Sequence, residues 1–218
     1  MNTQPGKSDK PAVLLVDFQE DFTEEKKGSL AVAGTDATYI ESVIQATQAF
    51  SEKRVPAYAT QDWHPENHMS FGINNSGATL FEPFKIDGRS QIMWPAHCIQ
   101  GTDGANIMME NDRFEVVVQK GMDPKFDSYS GFADDGGKKT GLDNHLKQAG
   151  ITDLIVYGLA TDVCVKFTVL DAISEGYRVH LLCDLSRGVT PEGITEAIEE
   201  MRKKGTIITD TAAIMADF

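Results

Sequence analysis

Four stretches of this 218-residue chain carry side chains able to do chemistry, and they lie far apart in sequence. They are Asp17 in LLVDFQEDF, Asp62 and His64 in QDWHPENH, Lys120 in VVVQKGMD and Cys164 in GLATDVCV. A thiol needs a base to remove its proton, and a desolvated carboxylate beside a lysine can serve. Asp17, Lys120 and Cys164 therefore read as proton acceptor, its anchor and nucleophile. The lysine charge would favour thiolate, as would a helix dipole if Cys164 sits in the first turn of a helix. No histidine occupies an equivalent strand-end position, so a Cys–His dyad is the weaker reading. Taken singly, Asp17 reads as a turn cap, Lys120 as an edge lysine and Cys164 as a small buried hydrophobe.

The second chemistry is metal binding. Asp62 and His64 stand two residues apart, so in extended chain their side chains point the same way. WPAHC adds His97. One carboxylate and two imidazoles suit zinc, with iron or manganese as alternatives, and leave coordination positions open for water or substrate. A structural zinc would want a fourth protein ligand; His68 or Cys98 could supply one, although adjacent His97 and Cys98 would rarely face one ion. His145 and His180 read as packing or surface residues, Cys183 as a buried strand residue, and TEAIEEMRKK as a solvated helix face.

These groups are useful only if something brings them together. Apolar runs AVLLV, VPAYAT, FEVVVQ and DLIVYG precede Asp17, Gln61–Asp62, Lys120 and Leu159; RVHLLC leads to Asp184, and GTIIT follows near the end. Between them lie helical stripes: Tyr39, Ile40, Val43, Ile44 and Phe50; Leu142, His145, Leu146 and Ala149; Val165, Val169, Ala172 and Ile173; Ile194, Ala197, Ile198 and Met201. Thr190 and Pro191 suit an N-cap and first helical position. Strands alternating with helices predict an open parallel sheet covered on both faces. The reactive residues then share the edge at the strands' carboxyl ends, where ligands bind in such sheets. From Trp63 to Asn111 no period is visible, yet this stretch holds both tryptophans and three of the five histidines, which marks it as functional.

Bulk properties narrow the class. The length suits one domain over residues 11–218, with residues 1–10 read as a disordered lead. A net charge of −13 argues against nucleic acid or an anionic membrane as partner. No apolar run is long enough to span a bilayer. Three cysteines without paired spacing make no disulfide framework, which points to a reduced, cytoplasmic setting.

In these residues the chain resembles the isochorismatase-like cysteine hydrolases, and within them the pyrazinamidase-type nicotinamidases. The matching stretches are LLVDFQEDF, GSLAVAG, TQDWHPENHMSF, WPAHCIQGT, VVVQKGMD, DSYSGF and GLATDVCV, in order from Ala12 to Asp184. The resemblance implies a three-layer α/β/α, Rossmann-like fold with a six-stranded parallel sheet in the order 3-2-1-4-5-6. It implies Asp17, Lys120 and Cys164 as catalytic triad and Asp62, His64 and His97 as metal ligands, His68 being ligand or outer neighbour depending on the relative. It implies a cis Leu159–Ala160 peptide, an oxyanion hole from the Ala160 and Cys164 amides, and Phe22, Trp94 and Tyr129 around the substrate. The implied substrate is a small molecule, nicotinamide or pyrazinamide, deamidated through a thioester in NAD salvage; a homo-oligomer is left open. The rivals are an amidase for another small amide or ureide, a silent binding protein, and a zinc hydrolase using metal-bound water.

Overall fold

β1 (Pro11–Val16) shows how the sheet is built. Val13 and Leu15 pack into one core, Ala12, Leu14 and Val16 into another, because side chains alternate across a strand. An almost continuous apolar run is thus buried on both faces, as a central parallel strand requires. The computed structural model describes residues 10–216. The expected disordered lead lies outside these residues except for Lys10, whose amide donates to Thr152 Oγ1 at 2.9 Å.

β1 pairs in parallel with β2 (Ala57–Asp62). A hairpin of β3 (Pro83–Ile86) and β4 (Arg89–Ile92) comes next in the chain but stands apart from the sheet. β5 (Val116–Lys120), β6 (Asp153–Leu159), β7 (Arg178–Arg187) and β8 (Ile207–Thr209) complete a six-stranded sheet in the order β5-β2-β1-β6-β7-β8. All its pairings are parallel, and without the hairpin strands the order is the expected 3-2-1-4-5-6. α1 (Ala37–Glu52) and α5 (Thr211–Met215) supply Val43, Phe50 and Ile214 to one core. α2 (Leu142–Gln148), α3 (Lys166–Ser174) and α4 (Pro191–Lys203) supply Leu146, Val169 and Met201 to the other. The result is three layers. Thr190 caps α4 by accepting from the Gly193 amide, with Pro191 in the first turn.

Three details depart from the sequence reading. β7 runs past Asp184 to Arg187, and its register against β6 slips after Leu181, so Cys183 falls in the irregular part and is only half-buried. His145 faces solvent rather than joining the α2 stripe. The aperiodic stretch contains the β3–β4 hairpin, joined by Asp87 and Gly88 with φ of 49° and 79°. Two left-handed residues make the tight turn that suits a hairpin's twist, and Asp-Gly is its sequence signal. Among the described residues no helix is long and apolar enough to cross a membrane.

Candidate active site

The end of β1 leads directly into Asp17, β2 ends at Asp62, β5 at Lys120, and β6 at Leu159, just before the segment bearing Cys164. The carboxyl edge thus assembles all four reactive groups. β5 lies two places from β1, so the Lys120 side chain reaches across β2. Its Nζ stands 2.9 Å from Asp17 Oδ2, 2.5 Å from Asp62 Oδ1 and 3.5 Å from Cys164 Sγ, and it donates to the Ser128 carbonyl at 2.7 Å. Asp17 takes the left-handed conformation, φ 45°, costly for a non-glycine residue and of a kind that clusters at functional sites. Thr60 fixes its carboxylate by donating to Oδ1 at 2.6 Å. Lys120 faces Oδ2 as an ion pair, and among the described residues that oxygen is buried without any other partner. An Asp17 oxygen lies within 4.8 Å of Cys164 Sγ.

Burial dominates the electrostatics. It pushes Asp17 above the usual carboxylate range, and the neighbouring Asp62 charge adds to this against the pull of Lys120. Burial also pushes the Cys164 thiol well up, with Lys120 as the opposing influence. Lys120 thus favours the thiolate, as expected, while burial favours the thiol from which Asp17 would take the proton. Cys164 sits in a π turn, Thr161–Val165, ahead of α3, closed by the Val165 amide on the Ala160 carbonyl at 3.1 Å. Burial works against the charges of Lys120 and Asp62 as well, but each is held charged: Lys120 by Asp17 and Asp62, and Asp62 chiefly by Lys120.

Beside this cluster, His64 Nδ1 lies 2.9 Å from the Gly121 carbonyl and His97 Nδ1 2.7 Å from the Pro95 carbonyl. A carbonyl only accepts, so each Nδ1 carries a proton, and in the neutral ring each Nε2 then presents a lone pair. Both lone pairs face Asp62 Oδ2, at 3.5 and 3.9 Å. Two lone pairs converging on a carboxylate oxygen repel one another unless a cation sits among them, and backbone carbonyls orienting the far nitrogens are usual at metal sites. The donor set fits a divalent metal. Gly121, φ 66°, is required here, because a Cβ on it would lie 2.3 Å from His64 Cε1. His68 packs against His64 with ring centroids 4.3 Å apart and the rings tilted by 47°, while its own nitrogens face Ser70 Oγ at 2.8 Å and the Phe126 carbonyl at 3.2 Å. Cys98 points elsewhere, its Sγ 3.8 Å from the Gly104 carbonyl.

The two clusters open into one pocket with about 420 Å³ of empty space, its open mouth included. Phe22, Asp62, Trp94, His97, Tyr129, Ala160 and Cys164 all line it, and the Leu159–Ala160 peptide is cis. Trp94 Nε1 donates to the Tyr129 hydroxyl at 3.1 Å. Sequence reasoning missed Asp127 and Gln91. Asp127 lines the pocket, and Gln91 Nε2 donates to Asp127 Oδ2 at 2.9 Å and the Tyr129 hydroxyl at 3.0 Å. The Asp-Gly turn could have exposed the hairpin that carries Gln91; nothing in the spacing of DSYSGF singles out Asp127.

The chain matches the model of the isochorismatase domain over residues 11–213. It is 42% identical over 204 residues to the nicotinamidase of Escherichia coli, covering 90% of this chain and 93% of that one. The solved nicotinamidase/pyrazinamidase of Acinetobacter baumanii superposes with a TM-score of 0.86 at 34% identity, covering 96% of this chain and all of that one. The pyrazinamidase of Pyrococcus horikoshii, solved with zinc, superposes at 0.77 with 34% identity, covering 92% and 99%. With its parallel sheet, strand-end cluster and metal-fitting donors, this chain belongs to the isochorismatase-domain family.

Proposed function

We propose that this chain hydrolyses nicotinamide to nicotinate and ammonia through a thioester on Cys164, recycling the nicotinamide released from NAD in the cytoplasm. Pyrazinamide, which keeps the carboxamide and a ring nitrogen in the same relation, is the second substrate. The observation that carries this reading is that Cys164, with Asp17 and Lys120 at its back, shares one small pocket with Asp62 and His97.

Asp17 takes the thiol proton on its buried Oδ2, which among the described residues faces only the Lys120 ammonium. Burial raises Asp17 and so makes it a stronger base, and Lys120, 3.5 Å from the sulfur, stabilises the thiolate formed against the burial that pushes its thiol up. Sulfur attacks the carboxamide carbon, and the carbonyl electrons move to an oxygen that the Ala160 and Cys164 amides receive. One such donor is worth about 3 kcal/mol of barrier. Protonated Asp17 returns its proton to the amine as the C–N bond breaks, and ammonia leaves. Water, deprotonated by the same carboxylate, then attacks the thioester, nicotinate departs and Cys164 regains a proton. A divalent cation held by Asp62, His64 and His97, zinc in this proposal with iron or manganese as alternatives, would supply a Lewis-acid anchor for the ring nitrogen. Phe22 and Trp94 sandwich the ring while Tyr129 shapes the wall, so the carboxamide is presented to sulfur with little freedom left to lose.

The test is ammonia release from nicotinamide by the zinc-loaded chain and by Cys164→Ala. The variant is expected to keep its circular dichroism spectrum and lose turnover. A near wild-type rate would remove the thioester. Cys164→Ser retaining most activity, with chelation abolishing it, would instead favour metal-bound water as nucleophile.

A further inference from the structure

The product of the proposed reaction is an anion made from a neutral substrate, so the pocket's charge decides which of the two it holds. Among the described residues lining the pocket, none is Lys or Arg. The charged side chains that line it are Asp62 and Asp127, with His97 beside them. Asp62 has Lys120. Asp127 is different: it is 4% exposed, and its two oxygens accept from the Ser128 amide and from Gln91 Nε2, each at 2.9 Å. Both donors are neutral, and both carboxylate oxygens are used as acceptors. Among the described residues, no Lys or Arg forms an ion pair with Asp127. It is also close to the chemistry, with an oxygen within 4.8 Å of ring nitrogens of His64 and His68.

A count of charges gives it a purpose. Asp17, Asp62 and Asp127 contribute three negative charges; Lys120 and a divalent cation contribute three positive ones. With Asp127 the site is balanced and matched to a neutral amide. Without it the site would carry a net positive charge and favour a carboxylate. We propose that Asp127, held in place by Gln91, is the specificity residue that makes this pocket prefer the neutral carboxamide to its carboxylate product. The inference rests on the nicotinamidase reading and concerns a residue that takes no part in the proposed bond-making steps.

The experiment measures binding by calorimetry in the Cys164→Ala background at saturating zinc, so that nicotinamide is bound and not consumed. With Asp127 present, nicotinate is expected to bind about tenfold more weakly than nicotinamide, a gap of the size one partly screened charge at close range produces. Adding Asp127→Asn should tighten nicotinate by about that factor and leave nicotinamide little changed. Asp127→Glu, which keeps the charge, should preserve the gap. Equal affinities with Asp127 present would overturn the proposal. So would Asp127→Asn weakening both ligands alike, or Asp127→Glu behaving like Asp127→Asn, since a merely structural role predicts both. If the Asn variant does not fold, the comparison with Asp127 present decides alone. Failure of the intact zinc-loaded chain to release ammonia from nicotinamide would sink the functional reading instead, which separates the two failures.

Discussion

Lys120 and Gln91 both organise the pocket through one nitrogen with several partners, but they do so from different kinds of ground. Lys120 ends a strand of the central sheet, paired in register with Asp62, and its ammonium lies among Asp17, Asp62, Cys164 and the Ser128 carbonyl. Gln91 belongs to a two-stranded hairpin outside the sheet and reaches Asp127, Tyr129 and the Ile92 carbonyl through neutral hydrogen bonds. The floor of the site is thus fixed by the sheet and by buried charge, and the wall by a few side-chain contacts. Damage to the floor should register in stability and chemistry together; damage to the wall should register in binding.

The largest expected effect is Lys120→Ala. It would leave Asp17 and Asp62 buried with their common cation gone, a change that typically costs about 3–5 kcal/mol, besides abolishing turnover. Urea unfolding measures the first and ammonia release the second. Cys164→Ala, by contrast, should lose turnover with an unchanged urea midpoint. A Lys120→Ala protein with the wild-type midpoint would show that buried charge does not pin the floor. Chelation comes next, because it removes an anchor rather than the nucleophile. It should lower kcat/KM for nicotinamide about 100-fold, the loss expected when a bound ring is no longer oriented. Alkylation of Cys164 by iodoacetamide should change by less than about threefold, since the thiol's proton acceptor stays in place.

The same contrast explains what could be read from the sequence. Asp17, Asp62, Lys120 and the Cys164 turn were legible because apolar runs end just before or at them, and parallel strands bring such ends to one edge. The sheet order came from the family resemblance rather than from any periodicity. The wall was not legible in this way. Trp94 and His97 stood out by residue type, but Gln91 and Asp127 matter through partners more than thirty positions away or through a pocket that exists only once the loops are folded. The strength of burial around Cys164 was hidden for a related reason. Position at a helix start is visible in sequence, whereas the burial that pushes its thiol up is a property of the packed edge. The slip in β7 that half-exposes Cys183 likewise follows from pairing with β6, which no single strand encodes.

Gln91→Leu tests the wall directly. It removes the donor from Asp127 Oδ2 and one support of the Tyr129 hydroxyl while leaving every strand-end group untouched. Loss of a buried hydrogen bond to a charged acceptor should raise KM about tenfold, and kcat should stay within about threefold because no contact specific to the transition state is removed. Steady-state kinetics on nicotinamide separate the two. A fall in kcat with KM unchanged would place the hairpin's influence on the chemistry and erase the distinction between floor and wall.

The smallest effect belongs to Asp135, at the outer end of the same wall. Its amide donates to the Asp127 carbonyl at 2.7 Å, and its side chain is open to solvent. Partial shielding, followed by the charges of Asp127 and Asp134, pushes its carboxyl up to about 6 from 3.8. An acid with a raised value in the fold binds its proton more tightly there than in the unfolded chain. Ionising it therefore costs stability progressively as pH rises from near 4 through 6, and that cost persists at neutral pH. Asp135→Asn removes the cost. After discounting for solvent screening it should raise the melting temperature by about 1–2 °C at pH 7. The gain should vanish below pH 4, where the wild-type carboxyl is protonated in both states. A gain of equal size at both pH values would mean that packing, not charge, is responsible. No gain at pH 7 would mean that water screens this end of the wall fully, leaving Asp127 as the acidic residue there whose charge is felt inside the pocket.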